Sequence, residues 1–217
     1  MPSFGLDQIP FLLIAAEWTV ALSIVAFIGG GALGFVIALA RVSDNRLLRG
    51  LSQAYVQIVQ GTPLLILLFV IYFGIAIIGF DSLPAIVAAG AGLTIYASGF
   101  LAEIWRGCIE SVSRTQWEAA ECLALSRWQR MTRVILPQAA RIATAPTVGF
   151  LVQIVKNTSL ASVVGFVELS QAGKLINNST FQPFRVFIAV AILYFLICYP
   201  LSAWSQRLER RLNVGRR

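Results

Sequence analysis

The sequence has 217 residues, of which 58% are hydrophobic and only 12% are charged. So low a charged fraction excludes an ordinary soluble domain, and the length predicts a single all-α membrane domain over residues 1–217. Histidine is absent, which excludes Ser-His-Asp and Cys-His catalytic arrangements, and three scattered cysteines predict neither a disulfide framework nor a zinc site.

Five apolar runs are long enough to cross a bilayer, which takes roughly 20 helical residues. The predicted spans are about 17–40, 62–80, 83–105, 139–158 and 186–206. No Lys or Arg precedes Arg41, so the first run is predicted to be a retained span and not a signal peptide. Its glycines at 29–31 and 34 favour close packing against another helix.

An amphipathic helix is predicted ahead of the second span, between Arg46 and Gln60. Its glutamines suit either a partner helix or a polar path. Gly61-Thr62-Pro63 interrupts the helical pattern, because proline suits only the first turn of a new helix, for which Thr62 is a candidate cap.

A moderately polar segment, Lys156 to Gln182, follows the fourth span. It is too polar to face lipid along its whole length, so it is predicted to lie at the outer surface or to re-enter against protein.

The basic residues predict the orientation of the chain. The net charge of +7 would suit a nucleic-acid partner, but the positive residues lie at the ends of apolar runs and do not line one polar face. With five spans, fourteen of the 17 Lys and Arg residues fall on one side. Because basic residues of membrane proteins accumulate on the cytoplasmic side, the N-terminus is predicted to lie outside and the C-terminus inside. The predicted partner of the basic residues is the lipid bilayer, and no nucleic-acid partner is expected.

A polar loop over about residues 106–138 interrupts the apolar sequence on the cytoplasmic side. Capping-box spacing predicts two short helices in it, with Pro137 marking the end of the second or a kink. The candidate pairs are Ser113 with Gln116, or Thr115 with Glu118, for the first helix, and Ser126 with Gln129 for the second. Trp117, Ala120 and Ala124 are predicted to share one face. On pattern alone, this helix-turn-helix would also suit a passive interfacial brace in a channel or a structural assembly subunit.

The polar loop contains three short motifs: Trp117-Glu118-Ala119-Ala120, Leu123-Ala124-Leu125-Ser126 and Val134-Ile135-Leu136-Pro137. Together these motifs resemble the EAA loop of ABC importer permeases. Further stretches at 60–74, 101–112, 156–165 and near the C-terminus are similar to the polar amino acid uptake branch, and the resemblance covers about residues 17–212.

The resemblance implies that the polar loop is a coupling loop that docks on a separate ATP-binding subunit. ATP and magnesium would be held there, and this chain itself would carry no cofactor, no metal and no catalytic residue. The docking residues would be Trp117, Glu118, Ala119, Ala120, Ala124, Ser126, Leu136 and Pro137. The implied partners are an ATPase dimer, a second copy of this chain or a related permease, and an extracytoplasmic solute-binding protein.

The chain lacks a phosphate-binding loop of its own. No glycine stands five positions before Gly173-Lys174, and leucine follows the lysine. We therefore expect no ATP hydrolysis by this chain. The lack of histidine and of clustered intramembrane carboxylates also disfavours a membrane enzyme.

Four positions depart from the family pattern. Glycine is usual where this chain has Ala124, arginine where it has Gln60, glutamine where it has Leu67, and often aspartate where it has Asn157. If the turn at Ala124 needs a left-handed residue, alanine costs roughly 1–2 kcal/mol there.

The candidate substrate path centres on Lys156. If the fourth span is helical, Lys156 lies about 22 Å from Arg141, in the outer part of the bilayer. It could snorkel to the headgroups, or line the path and meet a substrate carboxylate. The candidate path residues are Lys156, Asn157, Thr158, Ser159, Gln60, Gly61, Thr62 and Glu103, although Glu103 also suits a structural pair with Arg106. A lysine followed by a neutral residue favours an acidic or neutral amino acid.

Overall fold

The computed structural model describes residues 4–77 and 83–214, and every regular element within them is helical. The α-helices are α1 (Ile9–Arg41), α2 (Arg46–Gly61), α3 (Leu64–Ile77), α4 (Ala85–Glu110), α5 (Arg114–Cys122), α6 (Arg127–Gln129), α7 (Leu136–Asn157), α8 (Leu169–Thr180) and α9 (Pro183–Val214). Short 3-10 helices occupy Leu6–Gln8 and Thr158–Val164, and a π-helical segment, Arg130–Ile135, joins α6 to α7.

The described helices confirm a polytopic all-α membrane protein. Four stretches are long and apolar enough to cross a membrane, and α2 with α3 makes a fifth if this bent pair counts as one span. The four stretches are Leu6–Arg41, Ala85–Glu110, Arg127–Val164 and Pro183–Arg211. The predicted end of the second span, at 78–80, lies outside the described residues.

α1 and α4 form the most extensive helix pair among the described elements. Their backbones approach closely because glycines of α1 face small residues of α4. A Cβ added to Gly30 would lie 2.5 Å from the Cβ of Ala97, and one added to Gly34 would lie 2.9 Å from the carbonyl oxygen of Ser98. Close packing, as the glycine cluster predicted, therefore joins the first span to the third.

α2 and α3 meet at an angle of 102° across Gly61-Thr62-Pro63. The chain breaks where the sequence predicted, but Thr62 has a different role from the expected cap of α3. Its hydroxyl donates to the Ile58 carbonyl, 2.8 Å away in the preceding helix. Leu64 and Leu68 of α3 then pack into the main apolar cluster with residues of α1, α4 and α7.

The prediction that Pro137 ends a second short helix is wrong, whereas the alternative, a kink at this point, stays a prediction. α6, the π-helical segment and α7 form one continuous helical stretch that reaches Val164. Pro137 lies in the first turn of α7, directly after the π-helical segment. The wider π turn carries the chain past the point where a proline ring would otherwise clash with the preceding turn.

The segment from Lys156 to Gln182 packs against protein, the second of the two predicted possibilities. Leu169 and Ala172 of α8 are fully buried, in a cluster with Leu12 of α1 and Val186 of α9. Gln182 also accepts a hydrogen bond from the Phe4 backbone at 3.3 Å. α8 therefore lies at the same end of the bundle as the start of α1.

Candidate functional site

The first helix of the polar loop, α5, begins after Ser113 as predicted, but neither predicted capping box forms there. The Ser113 hydroxyl lies 2.6 Å from the Thr115 hydroxyl and makes no capping bond to the backbone. On the exposed side of α5, Arg114 pairs at 3.2 Å with Glu118, which is four residues further along the helix. A pair this exposed stabilises the helix by a few tenths of a kcal/mol.

The turn after α5 is left-handed at Ala124, where φ is 54°. The Ala124 N–H donates to the Glu121 carbonyl at 2.9 Å, and the Leu125 N–H donates to the Ala120 carbonyl at 3.3 Å. These two bonds define a Schellman turn, in which glycine is the usual residue at the left-handed position. The turn therefore does need a left-handed residue, as the departure from the family pattern suggested.

Ser126 caps the second helix with the predicted box. Its hydroxyl accepts from the Gln129 N–H at 3.3 Å, while the Gln129 side-chain oxygen accepts from the Ser126 N–H at 2.9 Å. Two donors at the start of α6 are thereby satisfied, so the continuous helix from Arg127 to Val164 has a defined beginning.

The inner face of α5 is fixed to the rest of the protein. Ala120 is buried, and Trp117 packs against an apolar cluster formed by the end of α4, the π-helical segment and the start of α7. Contrary to the prediction, Ala124 does not share this face, because it lies beyond the end of the helix and is exposed. Glu121 pairs with Arg130 at 3.1 Å, which adds a polar attachment.

The polar loop is also attached to the turn between α1 and α2. Arg127 forms an ion pair with Asp44 and donates to the Val42 carbonyl at 3.3 Å. Elsewhere in the loop, Gln138 donates to the Gln116 side chain at 3.3 Å. The loop therefore contacts the C-terminal end of the first span as well as the helices that flank it.

The outer face of α5 and its turn is exposed. Glu118 and Ala119 face solvent, as do two large apolar side chains, Leu123 at 75% exposure and Trp128 at 70%. Of the two remaining candidate docking residues at the start of α7, Leu136 is half-buried and Pro137 is exposed. An apolar surface beside a carboxylate, on a helix fixed from behind, is suited to contact another protein.

Lys156 lies in a groove of about 280 Å³ between α7 and α9. The groove is lined by Val152, Lys156, Tyr194, Phe195, Cys198, Tyr199 and Ser202. The ammonium group is thus exposed beside aromatic side chains, in a space open to a small ligand.

None of the three residues after Lys156 lines that groove. Thr158 is fully buried and donates to the Val155 carbonyl at 2.8 Å, while Ser159 donates to the Lys156 carbonyl at 2.8 Å. Asn157 accepts from Gln153 at 3.2 Å, but its own amide nitrogen is buried with no hydrogen-bond partner among the described residues. A buried donor without an acceptor costs roughly 1–3 kcal/mol, so this position suits an incoming acceptor.

Gln60, Gly61 and Thr62 lie at the bend between α2 and α3. Gln60 donates to the Gly99 carbonyl at 3.4 Å, and Gly61 is exposed with open space around it. Within residues 4–77 and 83–214, no hydrogen bond joins these three residues to Lys156 or its neighbours. A link between the two halves of the predicted path therefore stays a prediction.

Glu103 forms ion pairs near the C-terminal end of α4. It pairs with Arg106, as the spacing of three suggested, and also with Arg41 at 3.1 Å. Arg106 pairs further with Glu110. Because two guanidinium groups already pair with the Glu103 carboxylate, the structure favours a structural ion pair over a substrate contact.

The sequence reasoning missed Glu168, whose side chain is fully buried. Its carboxylate accepts from the backbone N–H groups of Ser170 and Gln171 at 2.8 and 2.9 Å, and from the Tyr194 hydroxyl at 2.7 Å. Burial raises the pKa of Glu168 above its ordinary range, although these three hydrogen bonds act in the opposite direction. A signal was present, because a carboxylate directly before a helix is a common cap.

Glu168 connects the start of α8 to the groove of Lys156, because Tyr194 lines that groove and also donates to the buried carboxylate. On the other side, the Thr19 hydroxyl of α1 accepts from the Leu169 N–H at 3.1 Å. The start of α8 is therefore held by both α1 and α9.

A family described as "Binding-protein-dependent transport system inner membrane component" matches residues 9–214. The chain belongs to this family.

Two relatives indicate the branch of the family to which the chain belongs. It is 35% identical over 207 residues to the probable amino-acid ABC transporter permease protein YckA of Bacillus subtilis, covering 95% of this chain and 91% of that protein. It is 31% identical over 207 residues to the glutamine transport system permease protein GlnP of Escherichia coli, covering 95% of this chain and 94% of that one.

A solved structure, the crystal structure of an amino acid ABC transporter with histidines, matches with a TM-score of 0.89 and 29% identity. The match covers 97% of this chain and 100% of the other. The permease is therefore an ABC importer permease of the polar amino acid branch and a multi-pass protein of the bacterial inner membrane.

Proposed function

We propose that this permease moves a polar amino acid into the cytoplasm by alternating access, driven by ATP hydrolysis on a separate ATPase dimer that holds ATP and magnesium. Two permease subunits, either two copies of this chain or this chain with a related one, enclose the path. An extracytoplasmic solute-binding protein delivers the amino acid. The family description, which names a binding-protein-dependent system, and the names of the relatives support this assembly.

The proposed orientation places the N-terminus outside and the C-terminus in the cytoplasm. Fourteen of the 17 basic residues lie on the cytoplasmic side in this arrangement. The ion pair of Arg127 with Asp44 supports it, because it brings the polar loop together with the basic turn after α1.

The observation that carries the coupling mechanism is the continuous helix from Arg127 to Val164. The polar loop lies at one end of it, and Lys156 lies near the other. ATPase closure would move α5, and the packed Trp117 would transmit that movement to this helix. Such a movement shifts the population of inward-open and outward-open states only if the ATPase contacts the two states differently.

Charge reversal of Glu118 tests the docking assignment. In proteoliposomes with the cognate ATPase, Glu118→Lys should reduce ATPase docking and ATP-dependent uptake by roughly tenfold or more, because a repulsive charge faces the partner. The exposed pair with Arg114 contributes little to folding, so the thermal unfolding temperature should stay unchanged. Glu118→Gln, which removes the charge without reversing it, should have a smaller effect. Full docking and uptake by Glu118→Lys would contradict a coupling role for α5.

The substrate proposal rests on two donors at the outer end of α7. The Lys156 ammonium and the buried amide nitrogen of Asn157 suit a carboxylate acceptor, and the absence of an acidic residue at 157 favours an acidic or neutral amino acid over a cationic one. This assignment concerns the side-chain class and not a particular amino acid.

Substitution of Lys156 tests the substrate assignment. Lys156→Gln should raise the KM for uptake by roughly tenfold or more, because a hydrogen bond to a charged group contributes about 1.5–3 kcal/mol. Lys174→Gln is the matched control, since that ammonium donates to the Ser162 hydroxyl at 2.9 Å. An unchanged KM would show that Lys156 snorkels to the headgroups. A binding protein that prefers arginine or lysine would contradict the proposed substrate class.

A further inference from the structure

The last helix is longer than a bilayer requires. α9 has 32 residues, which correspond to about 48 Å, whereas the hydrocarbon core is about 30 Å thick. The final turns therefore continue beyond the hydrocarbon as helix. They carry Arg207, Arg210 and Arg211, here named the cationic end of α9, and the sequence adds arginines at 216 and 217.

The cationic end of α9 has no carboxylate partner in the described part of the chain. Six ion pairs are formed among those residues, and they occupy arginines 41, 106, 114, 127 and 130. Arg207, Arg210 and Arg211 are all exposed and enter none of these pairs. Glu209 is the one acidic residue between 207 and 217. The stretch therefore carries uncompensated positive charge.

The cationic end of α9 continues a helix side that is suited to face lipid. α9 is the least buried of the four long apolar stretches, and one side of it exposes large apolar residues along its length. These residues are Phe184, Ile188, Ile192, Phe195 and Tyr199. Arg210 follows Ile192 by eighteen residues, which is five full turns, so it continues the same side of the helix. Trp204, 51% exposed, precedes the arginines, and tryptophan is enriched where helices pass through the headgroup region.

We propose that the cationic end of α9 binds anionic phospholipid headgroups of the membrane surface from which α9 emerges. A guanidinium group forms paired hydrogen bonds with phosphate oxygens, and the lipid-facing position of Arg210 brings a headgroup within reach without any rearrangement of the bundle. Each arginine near an anionic surface strengthens binding by about fivefold. An acidic surface on the ATPase is the competing occupant of the same arginines.

Native mass spectrometry of the purified full-length permease tests the proposal, with phosphatidylglycerol and phosphatidylcholine as probes. The unchanged protein should retain phosphatidylglycerol at least about tenfold more tightly than phosphatidylcholine, given three arginines. The triple variant Arg207→Gln, Arg210→Gln, Arg211→Gln should lose that preference. Arg185→Gln, at the opposite end of the same helix, should keep it.

Three results would overturn the proposal. The first is retention of the phosphatidylglycerol preference by the triple variant. The second is displacement of the lipid by inorganic phosphate as effectively as by phosphatidylglycerol, which would indicate a site for free anions. The third is a triple variant that loses ATPase docking but retains the lipid as the unchanged protein does, which would assign the arginines to the ATPase. None of these readouts depends on which amino acid is transported.

Discussion

Ala124 holds the backbone of the polar loop in a conformation that alanine disfavours. With φ at 54°, its Cβ lies close to the neighbouring carbonyl oxygen, which costs roughly 1–2 kcal/mol relative to glycine. The two hydrogen bonds of the Schellman turn would be lost if the residue moved to an ordinary helical or extended conformation. The strain is therefore retained because the turn positions α5 against the rest of the loop.

Replacement of Ala124 by glycine should stabilise the permease. We expect a gain of about 1 kcal/mol, since relief of the left-handed strain exceeds the additional entropy that glycine loses on folding. Thermal unfolding of the purified protein measures the gain, and coupled uptake should be unchanged or improved. Ala119→Gly is the control, because glycine within α5 should cost about 1 kcal/mol. A large loss of coupled transport in Ala124→Gly would mean that the turn changes conformation in the working transporter.

Partners within one turn of chain made some residue-level features predictable, although the boxes predicted at Ser113 and Thr115 do not form. The Ser126 box was predicted because its partner is three positions away, and the family pattern raised the condition that the turn at Ala124 needs a left-handed residue. Glu168 was not predicted as a buried residue, because Tyr194 and the contacts around Thr19 come from distant parts of the chain. The left-handed Phe181, with φ at 52°, likewise carries no local turn signal.

At the scale of elements, α1 and α4 pack so closely that adding one methyl group at some glycines of α1 would cause a clash with α4. A Cβ at Gly30 would lie within 3.0 Å of the Thr94 carbonyl and nearer still to Ala97. One residue later, a Cβ at Gly31 would meet the Trp105 ring at 3.6 Å, an ordinary van der Waals distance. Neighbouring glycines therefore differ in whether they accept a side chain.

Alanine substitution at these two glycines should give opposite results. Gly30→Ala should destabilise the protein by roughly 1–3 kcal/mol, because the backbones of α1 and α4 must separate. Gly31→Ala should be neutral or slightly stabilising, since alanine favours the helix. Thermal unfolding in detergent compares the two variants. Equal effects would contradict the close approach of α1 to α4.

The position of the break between α2 and α3 was predictable from the sequence, but the angle between the two helices was not. Gly61-Thr62-Pro63 marked the break between α2 and α3 because proline cannot continue the first helix, but the angle of 102° depends on how α3 packs against α4. Pro137 does not end the helix, because the π-helical segment before it allows the helix to continue. A proline predicts a disturbance, and the surrounding packing determines what form it takes.

For the whole molecule, the long apolar helices and their order were predictable because each is a local run of apolar residues. Helix pairing was not, since it depends on contacts between residues far apart in sequence. The substrate path shows the difference most clearly: Lys156 and Gln60 were placed on one predicted path, but Gln60 donates to the Gly99 carbonyl and no hydrogen bond joins it to Lys156 among the described residues.

The attachment of the polar loop to the first span leads to a test of coupling across the molecule. Arg127 links the loop to the α1–α2 turn through Asp44 and the Val42 carbonyl. Exposed ion pairs contribute at most about 1 kcal/mol, so Arg127→Asp should lower the amino acid imported per ATP hydrolysed by about two- to threefold while ATPase docking persists. The charge-swapped double variant, with Asp44→Arg added, should restore the ratio. A ratio that stays at the wild-type value in Arg127→Asp would show that the first span moves independently of the loop.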